Sequence, residues 1–247
     1  MTATPHSASI LLRKLERFGT FSEVERRAIT ELPVTIRSLG AGQDIVRDHE
    51  RQSHCCLMLD GWASRYQVCS RGKRQIFSFH IPGDLTDYQS LHLPANDYSV
   101  CTLTSAIVAF IPHERLHELI SIFPQIAVAL WRDAHVDAAI SRSWLVGMGV
   151  RTACEALAHL LCELYVKLEA AGLAANLRYH LPITQGVLAD ALGLSNVHVN
   201  RVLSELRTRG IFTLSNHVLQ IHNWNDLTRY CDFDPSYLHL VPQIAEA

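Results

Sequence analysis

Short β-rich runs separated by turn residues fill the sequence from Pro33 to Pro112, and this pattern constrains the fold more than any other feature. The runs are VTIRSL, DIVRD, CCLMLDG, ASRYQVC, RQIFSFH and YSVCTLTSAIVAFI, with GAGQ, SRGK and PGD among the turns. Many short strands with glycine-centred turns predict a small antiparallel sandwich or barrel. Such a domain can hold a ligand or can serve only as a scaffold.

Helical periodicity flanks this β-rich region on both sides. Residues 9–32 have apolar side chains at helical spacing, interrupted at Gly19, which predicts two short amphipathic helices. Further along, Pro124 is expected to open a long helix. A stripe along that helix contains Ile126, Ala129, Leu130, Asp133, Val136, Asp137, Ile140 and Trp144. We expect this stripe to pair with its own copy in a second subunit, and burial against the barrel of the same chain is the alternative.

The composition limits the kind of protein. A chain of 247 residues with 48% apolar residues can bury a core in each of two domains. Its net charge of −2 means that any DNA contact must come from a local basic patch. Seven scattered cysteines form no spaced framework, so reduced thiols are expected. Because no apolar run approaches the roughly 18 residues of a membrane span and no signal pattern opens the chain, a cytoplasmic protein is predicted.

Residues 183–210, ITQGVLADALGLSNVHVNRVLSELRTRG, have the pattern of two helices joined by a tight turn. Thr184 and Ser195 are suitable N-caps, and Gly193 lies where the turn needs a positive φ. The predicted inward face of the second helix consists of Val199, Val202, Leu203 and Leu206. A helix presented in this way can enter the major groove of DNA.

The outward face of the second helix carries the side chains that suit DNA recognition. The guanidinium fork of Arg201 matches the paired acceptors of guanine, and Asn200 or Asn196 could pair with adenine. The residues suited to holding the phosphate backbone are Ser195, His198, Thr184 and Gln185. Arg207 completes the predicted DNA-facing set. The alternative is a solvated helix face whose arginines balance Glu205.

Two alternating apolar runs follow in IFTLSNHVLQIH, around Ser215 and Asn216, and they predict a β-hairpin. Two helices followed by a hairpin make a winged helix-turn-helix. In such a module the hairpin and the helix ends can grip the DNA backbone.

With these elements in order, the chain from about Leu11 to Leu227 resembles the Crp/Fnr superfamily of bacterial transcription regulators. The matching blocks are LGAGQDIVRDHE, LMLDGWASRY, GKRQIFSFHIPGDL, ALAHLLCEL and ITQGVLADALGLSNVHVNRVLSELRTRGIF. The resemblance implies an α+β fold with a cyclic-nucleotide-binding-type β-barrel, which is a double-stranded β-helix or jelly roll. A long dimerisation helix and a C-terminal winged helix-turn-helix complete it. The predicted domains are residues 1–122, 123–148 and 149–247.

The same resemblance implies partners. A homodimer joined through the helix that begins near Pro124 would place its two Arg201 helices about 34 Å apart, in successive major grooves. A two-fold protein predicts a palindromic operator on double-stranded DNA, and RNA polymerase is the expected protein partner. No membrane partner is expected.

Departures from the family pattern limit which effector molecule the barrel can bind. Cyclic-nucleotide binders of the family have glycine and glutamate, then arginine with serine or threonine. Here Gly83 is kept, Asp84 replaces the glutamate, and LHLPANDYSVC contains no arginine. Gly83 and Asp84 are therefore only tentative ligand residues, and cyclic AMP is not expected because its phosphate would lack a charge partner. The basic residues that could substitute are Arg71, Lys73 and Arg74.

No metal or other cofactor is predicted, and the effector is left unknown. A family-type iron-sulfur cluster is excluded because no cysteine precedes Cys55. His54, Cys55 and Cys56 are adjacent on a strand, so their side chains cannot easily converge on one ion. Four of the histidines lie in or just after the barrel: His80, His92, His113 and His117. They could sense acid, but the favoured interpretation is that they are surface residues without a role.

The recognition helix also departs from the family, and this leaves other functions open. Val197 occupies the position of the family's glutamate and could touch a thymine methyl group, so the operator is expected to differ. A barrel that senses an unidentified small molecule is one alternative, and an interaction module that has lost DNA binding is another. An enzyme is not predicted, because His92 and Asn96 supply only half of a cupin-like metal site and no catalytic spacing is present.

Overall fold

A computed structural model describes residues 8–240. The described residues form two compact units, the first made of residues 8–73 and 78–137 and the second of residues 74–77 and 138–240. The division into three domains at residues 1–122, 123–148 and 149–247 stays a prediction. In the described residues, no helix combines the length and the apolar character that a membrane span requires.

Two short helices open the first unit, as the interrupted apolar spacing predicted. Helix α1 spans Ser9–Leu15 and helix α2 spans Glu23–Thr30. Ser22 begins α2 through a capping box, since its hydroxyl accepts from the Glu25 backbone while the Glu25 carboxylate accepts from the Ser22 backbone.

Seven short strands then form two antiparallel sheets. They are β1 (Thr35–Leu39), β2 (Asp44–Val46), β3 (His54–Asp60), β4 (Ala63–Val68), β5 (Arg74–His80), β6 (Ser99–Thr102) and β7 (Ala106–Pro112). One sheet has the order β1-β7-β3 and the other β2-β6-β4-β5. Buried side chains from both sheets, including Leu57, Val100 and Val108, make the apolar core. The predicted antiparallel β sandwich is confirmed.

Helix α3 spans His113–Ile122, and helix α4 spans Pro124–Val150, beginning at the predicted proline. The apolar stripe expected to meet a second subunit is, however, already buried within the single chain. We call its buried apolar members the inner stripe: Ile126, Ala129, Leu130, Val136 and Ile140. The expectation that these residues need a second subunit is wrong, because the chain's own side chains cover them.

The second unit is built on α5, Ala153–Ala170, whose N-cap Thr152 forms a capping box with Glu155. The later elements are β8 (Ala174–Ala175), β9 (Arg178–His180), α6 (Gln185–Leu192), α7 (Asn196–Thr208), β10 (Phe212–Ser215), β11 (Val218–Ile221) and α8 (Trp224–Cys231). A 3₁₀ turn follows at Pro235–Leu238. The four strands form one sheet of order β10-β11-β9-β8. No strand was predicted where β8 and β9 lie, so these two strands are an addition to the predicted fold.

Candidate DNA-binding site

The turn between α6 and α7 has the geometry that its sequence predicts. The Thr184 hydroxyl accepts from the Val187 backbone N–H at 3.3 Å and begins α6, and the Ser195 hydroxyl accepts from the His198 N–H at 3.2 Å and begins α7. Gly193 ends α6 in the left-handed region, with φ 66°. A side chain at this φ would be strained, so glycine allows the abrupt change of direction between the helices.

Helix α7 divides into a buried and an exposed face. All four residues predicted to point inward are buried: Val199, Val202, Leu203 and Leu206. The exposed face carries Asn196, Val197, Asn200 and Arg201. Val197 is 82% exposed. A large apolar side chain so exposed in the first turn has no role in the core, which is consistent with a role in contact.

Hydrogen bonds hold the polar side chains of this face. The Asn200 amide donates to Gln185 Oε1 at 3.1 Å, which links the two helices. Arg201 Nη2 lies 3.1 Å from His198 Nε2. Each amide or guanidinium group has further donors, so Asn200 can still meet adenine with an oxygen and an N–H, and Arg201 can still meet guanine with two N–H groups.

The alternative of arginines balanced by Glu205 fits only one arginine. Glu205 Oε1 accepts from Arg209 Nη2 at 2.8 Å, and the Arg209 guanidinium also lies 5.3 Å from the centre of the Tyr230 ring. In residues 8–240, Arg201 and Arg207 form no salt bridge, and Arg207 Nε donates to the Leu203 carbonyl. Their positive charges are available to a polyanion.

The hairpin of β10 and β11 matches the predicted wing. Ser215 pairs with Val218, and the two residues between them, Asn216 and His217, have φ of 50° and 59°. Two positive φ values in a two-residue loop define a type I′ turn. The His217 ring lies 6.1 Å from that of His180 on β9, so the wing also presents side chains that sequence reasoning did not assign.

In the first unit, the two tentative ligand residues lie in a buried turn. Gly83 has φ 100° and donates its N–H to the Met58 carbonyl at 2.8 Å. Asp84 is buried and its carboxylate lies 2.7 Å from the Lys14 ammonium, which also lies 3.0 Å from Asp133 on α4. Burial acts to lower the pKa of Lys14, but the two carboxylates outweigh burial and raise it. Asp84 is thus already paired inside the chain.

A buried arginine that sequence reasoning missed occupies the barrel interior. Arg65 on β4 donates through Nη1 to Asp137 of α4 at 2.5 Å and through Nη2 to the Thr86 carbonyl at 2.8 Å. Its guanidinium lies over the Tyr98 ring at 4.6 Å. Burial raises the pKa of neighbouring Asp87 to about 7, although the Cys56 N–H and Arg65 oppose that rise. The signal in the sequence is that Arg65 lies two residues after the buried Ala63, so both side chains point to the same face of β4.

The other candidate ligand and metal residues do not come together in one site. Arg71 and Lys73 lie on the exposed turn between β4 and β5. Cys55 and Cys56 are both buried, and burial raises the pKa of each thiol well above its usual value. In the described part of the chain, no three histidine, cysteine or carboxylate side chains are placed to hold a metal ion.

The chain matches two family profiles in the order of its two units. Residues 36–122 match the Cyclic nucleotide-binding domain, and residues 155–230 match the Crp-like helix-turn-helix domain. The second match contains α6, α7 and the wing. The chain belongs to the Crp/Fnr superfamily. It is a DNA-binding transcription regulator of the Crp/Fnr type.

Relatives within the Crp/Fnr superfamily cover most of the chain. It is 25% identical to the transcriptional activator protein FnrA of Stutzerimonas stutzeri over 185 residues, 75% of each protein. It is 22% identical to the regulatory protein HlyX of Actinobacillus pleuropneumoniae over 209 residues, 85% of this chain and 87% of HlyX. The structure of FixK2 from Bradyrhizobium japonicum has a similar fold, with a TM-score of 0.71 and 24% identity over 81% of this chain and 98% of that one.

Proposed function

We propose that this Crp/Fnr protein acts as a homodimer that binds a palindromic promoter site through α7. The observation that carries the proposal is a second, exposed stripe on α4. We call it the outer stripe: Val128, Trp131, His135, Ala138, Arg142 and Leu145. Its residues are spaced alternately by three and four, which is the spacing of a coiled-coil seam.

The exposure of the outer stripe favours a second copy as its partner. Trp131 is 59% exposed and Leu145 67% exposed. Large apolar residues at both ends of one seam are costly in water, and pairing along a two-fold axis would bury them against their own copies. We therefore still propose dimerisation through α4, as the sequence predicts, but through the outer stripe instead of the inner one.

In the proposed complex, the exposed face of α7 reads bases and its edges hold phosphates. Arg201 pairs with guanine, Asn200 or Asn196 with adenine, and Val197 packs on a thymine methyl group. The phosphate backbone is held by Thr184, Gln185, Ser195, His198 and Arg207. Promoter-bound dimers then act through RNA polymerase, the partner that the family implies.

We further propose that the barrel does not bind cyclic AMP. A cyclic phosphate needs a free cation, and the Arg65 fork is already held by Asp137 while Asp84 is held by Lys14. A different small molecule is the second candidate for the barrel. It is favoured by Asn96, a buried residue whose amide has no hydrogen-bond partner among residues 8–240. Mass spectrometry of gently purified protein would detect such a ligand.

Genomic footprinting with the wild type beside Arg201→Ala tests the DNA-binding proposal. The variant should lose preference at one symmetric base pair and keep weak, sequence-independent binding. Arg209→Ala is the matched control, because that arginine is the C-cap of the same helix but is paired with Glu205. Unchanged base preference in Arg201→Ala would remove Arg201 from base reading.

The exposed Val197 also permits a protein-interaction module that has lost DNA binding. The salt dependence of binding to a palindromic promoter fragment separates the two functions. Affinity for DNA held through several phosphates falls steeply as salt rises. Failure to bind any genomic fragment, with retained dimers, would favour the interaction module.

A further inference from the structure

Two cysteines far apart in sequence meet in the second unit. Cys162 lies on α5 and Cys231 ends α8, and their Sγ atoms are 3.9 Å apart. Both side chains are buried. The contact is between thiols that no DNA-binding role uses.

The two thiols differ in ionisation. The hydrogen bond between the two sulfurs lowers the pKa of Cys231, while burial opposes this effect and the positive charge of Arg151 assists it. Burial raises the pKa of Cys162, and the neighbouring Cys231 adds to the rise. Of the two thiols, Cys231 is therefore the one that loses its proton more readily. A thiolate is the form of cysteine that reacts with oxidants.

We propose that Cys162 and Cys231 are an oxidation site that forms an intramolecular disulfide with hydrogen peroxide. The Cys231 thiolate attacks one peroxide oxygen, the O–O bond breaks, and the leaving hydroxide takes a proton to become water. Cys231 is then a sulfenic acid. The Cys162 sulfur attacks the Cys231 sulfur, its proton joins the departing hydroxyl group, and a second water leaves. Two thiols lose two hydrogens in total, and one peroxide becomes two waters.

The geometry requires little rearrangement of the helices. The sulfurs must approach by about 2 Å to reach bonding distance, which side-chain rotation and a small shift of α8 can supply. Helix α8 is only eight residues long, and its C-cap Asp232 lies in the left-handed region. Local opening of this short helix would admit peroxide to the buried pair.

The disulfide would join α5 to α8 across 69 positions of sequence. A cross-link of this length restricts the unfolded chain and stabilises the folded one. Oxidation is therefore expected to raise the melting temperature of the second unit, which contains the helix-turn-helix.

Peptide mapping under native conditions tests the proposal. The reduced, folded chain is treated with hydrogen peroxide, alkylated to block free thiols, and digested without reductant. Trypsin alone leaves Cys154 and Cys162 on one peptide, residues 152–167, so a second cleavage after Glu155 is needed to separate them. The expected product links the Cys162 peptide to the Cys231 peptide, is two hydrogens lighter than the reduced pair, and disappears with dithiothreitol.

Three variants control the experiment. Cys154→Ser should keep the cross-link, because Cys154 is not part of the pair, whereas Cys162→Ser and Cys231→Ser should each abolish it. Oxidation of the exposed Cys69 alone, with both thiols of the pair still alkylated after unfolding, would overturn the proposal. A melting temperature that peroxide raises equally in wild type and Cys162→Ser would also overturn it, because the stabilisation would then not come from this bond.

Discussion

Replacing Trp131 with alanine is expected to weaken dimerisation by two to three orders of magnitude. Trp131 is 59% exposed in the single chain. A tryptophan side chain can bury up to about 250 Å², so each copy has on the order of 150 Å² left to bury against a partner. At about 25 cal/mol per Å², that area corresponds to roughly 4 kcal/mol for each chain.

A two-fold seam contains Trp131 twice, which sets an upper limit of about 7.5 kcal/mol for the dimer. Alanine keeps part of the contact, and the interface can relax around it. We therefore expect about half of the limit, roughly 3 to 4 kcal/mol, which corresponds to the stated change in the dissociation constant.

Sedimentation equilibrium over a range of protein concentrations measures this change, and circular dichroism checks that the variant is folded. Val24→Ala is the control, since Val24 is 66% exposed on α2 and lies off the stripe. It should leave the dimer unchanged. A wild type that is monomeric at micromolar concentration, or a folded Trp131→Ala with the dissociation constant of the wild type, would refute the dimer seam.

Three further substitutions test the barrel and the recognition helix. Asp137→Asn leaves the buried Arg65 without its counter-charge and should lower the free energy of unfolding, measured in urea, by about 1 to 3 kcal/mol. This estimate is smaller than that for a fully buried pair because Asp137 is partly exposed. The exposed control Asp226→Asn should change it by less than about 0.5 kcal/mol. Ser195→Ala removes the α7 N-cap and should cost about 1 kcal/mol by the same assay, besides weakening DNA binding. Because burial raises the folded-state pKa of Asp87 from 3.8 to about 7, its stabilising contribution is complete below pH 4 and is lost as pH rises towards 7. The neutral Asp87→Asn should therefore gain on the wild type across that range, by at most about 1.4 kcal/mol per pH unit, in urea titrations at several pH values. A stability difference between the two that is independent of pH would contradict the assignment.

The local signals in the sequence predicted most of the DNA-binding unit. Thr184, Gly193 and Ser195 act through bonds and angles within a few residues, so their roles as caps and turn could be read directly. The four inward residues of α7 follow from a single helical period. The hairpin of β8 and β9 was not predicted, because its strands have only two and three residues. Its turn also uses Asn176 and Leu177 at positive φ, where leucine is rare.

The barrel interior could not be predicted in the same way. Arg65 and Asp137 are 72 positions apart, and nothing in either local pattern indicates their pairing. Polar groups inside a core are fixed by partners from distant elements, since burial without a partner would be costly. A family motif shows which ligand residues are missing, but only the fold shows that Asp84 and Arg65 are already paired with other side chains of the chain.

Helix α4 shows why an apolar pattern alone could not assign its partner. The helix presents one apolar stripe to its own chain and another to solvent, so both faces give a helical period, and only burial separates them. The outer stripe includes His135 and Arg142, which a solely apolar seam would exclude. Polar residues at seam positions reduce the stability of a coiled coil but restrict its register and the number of strands. Because the proposed two-fold operator needs two α7 helices at a fixed spacing, we expect a dimer of moderate strength in one register to serve DNA binding better than a stronger one in several.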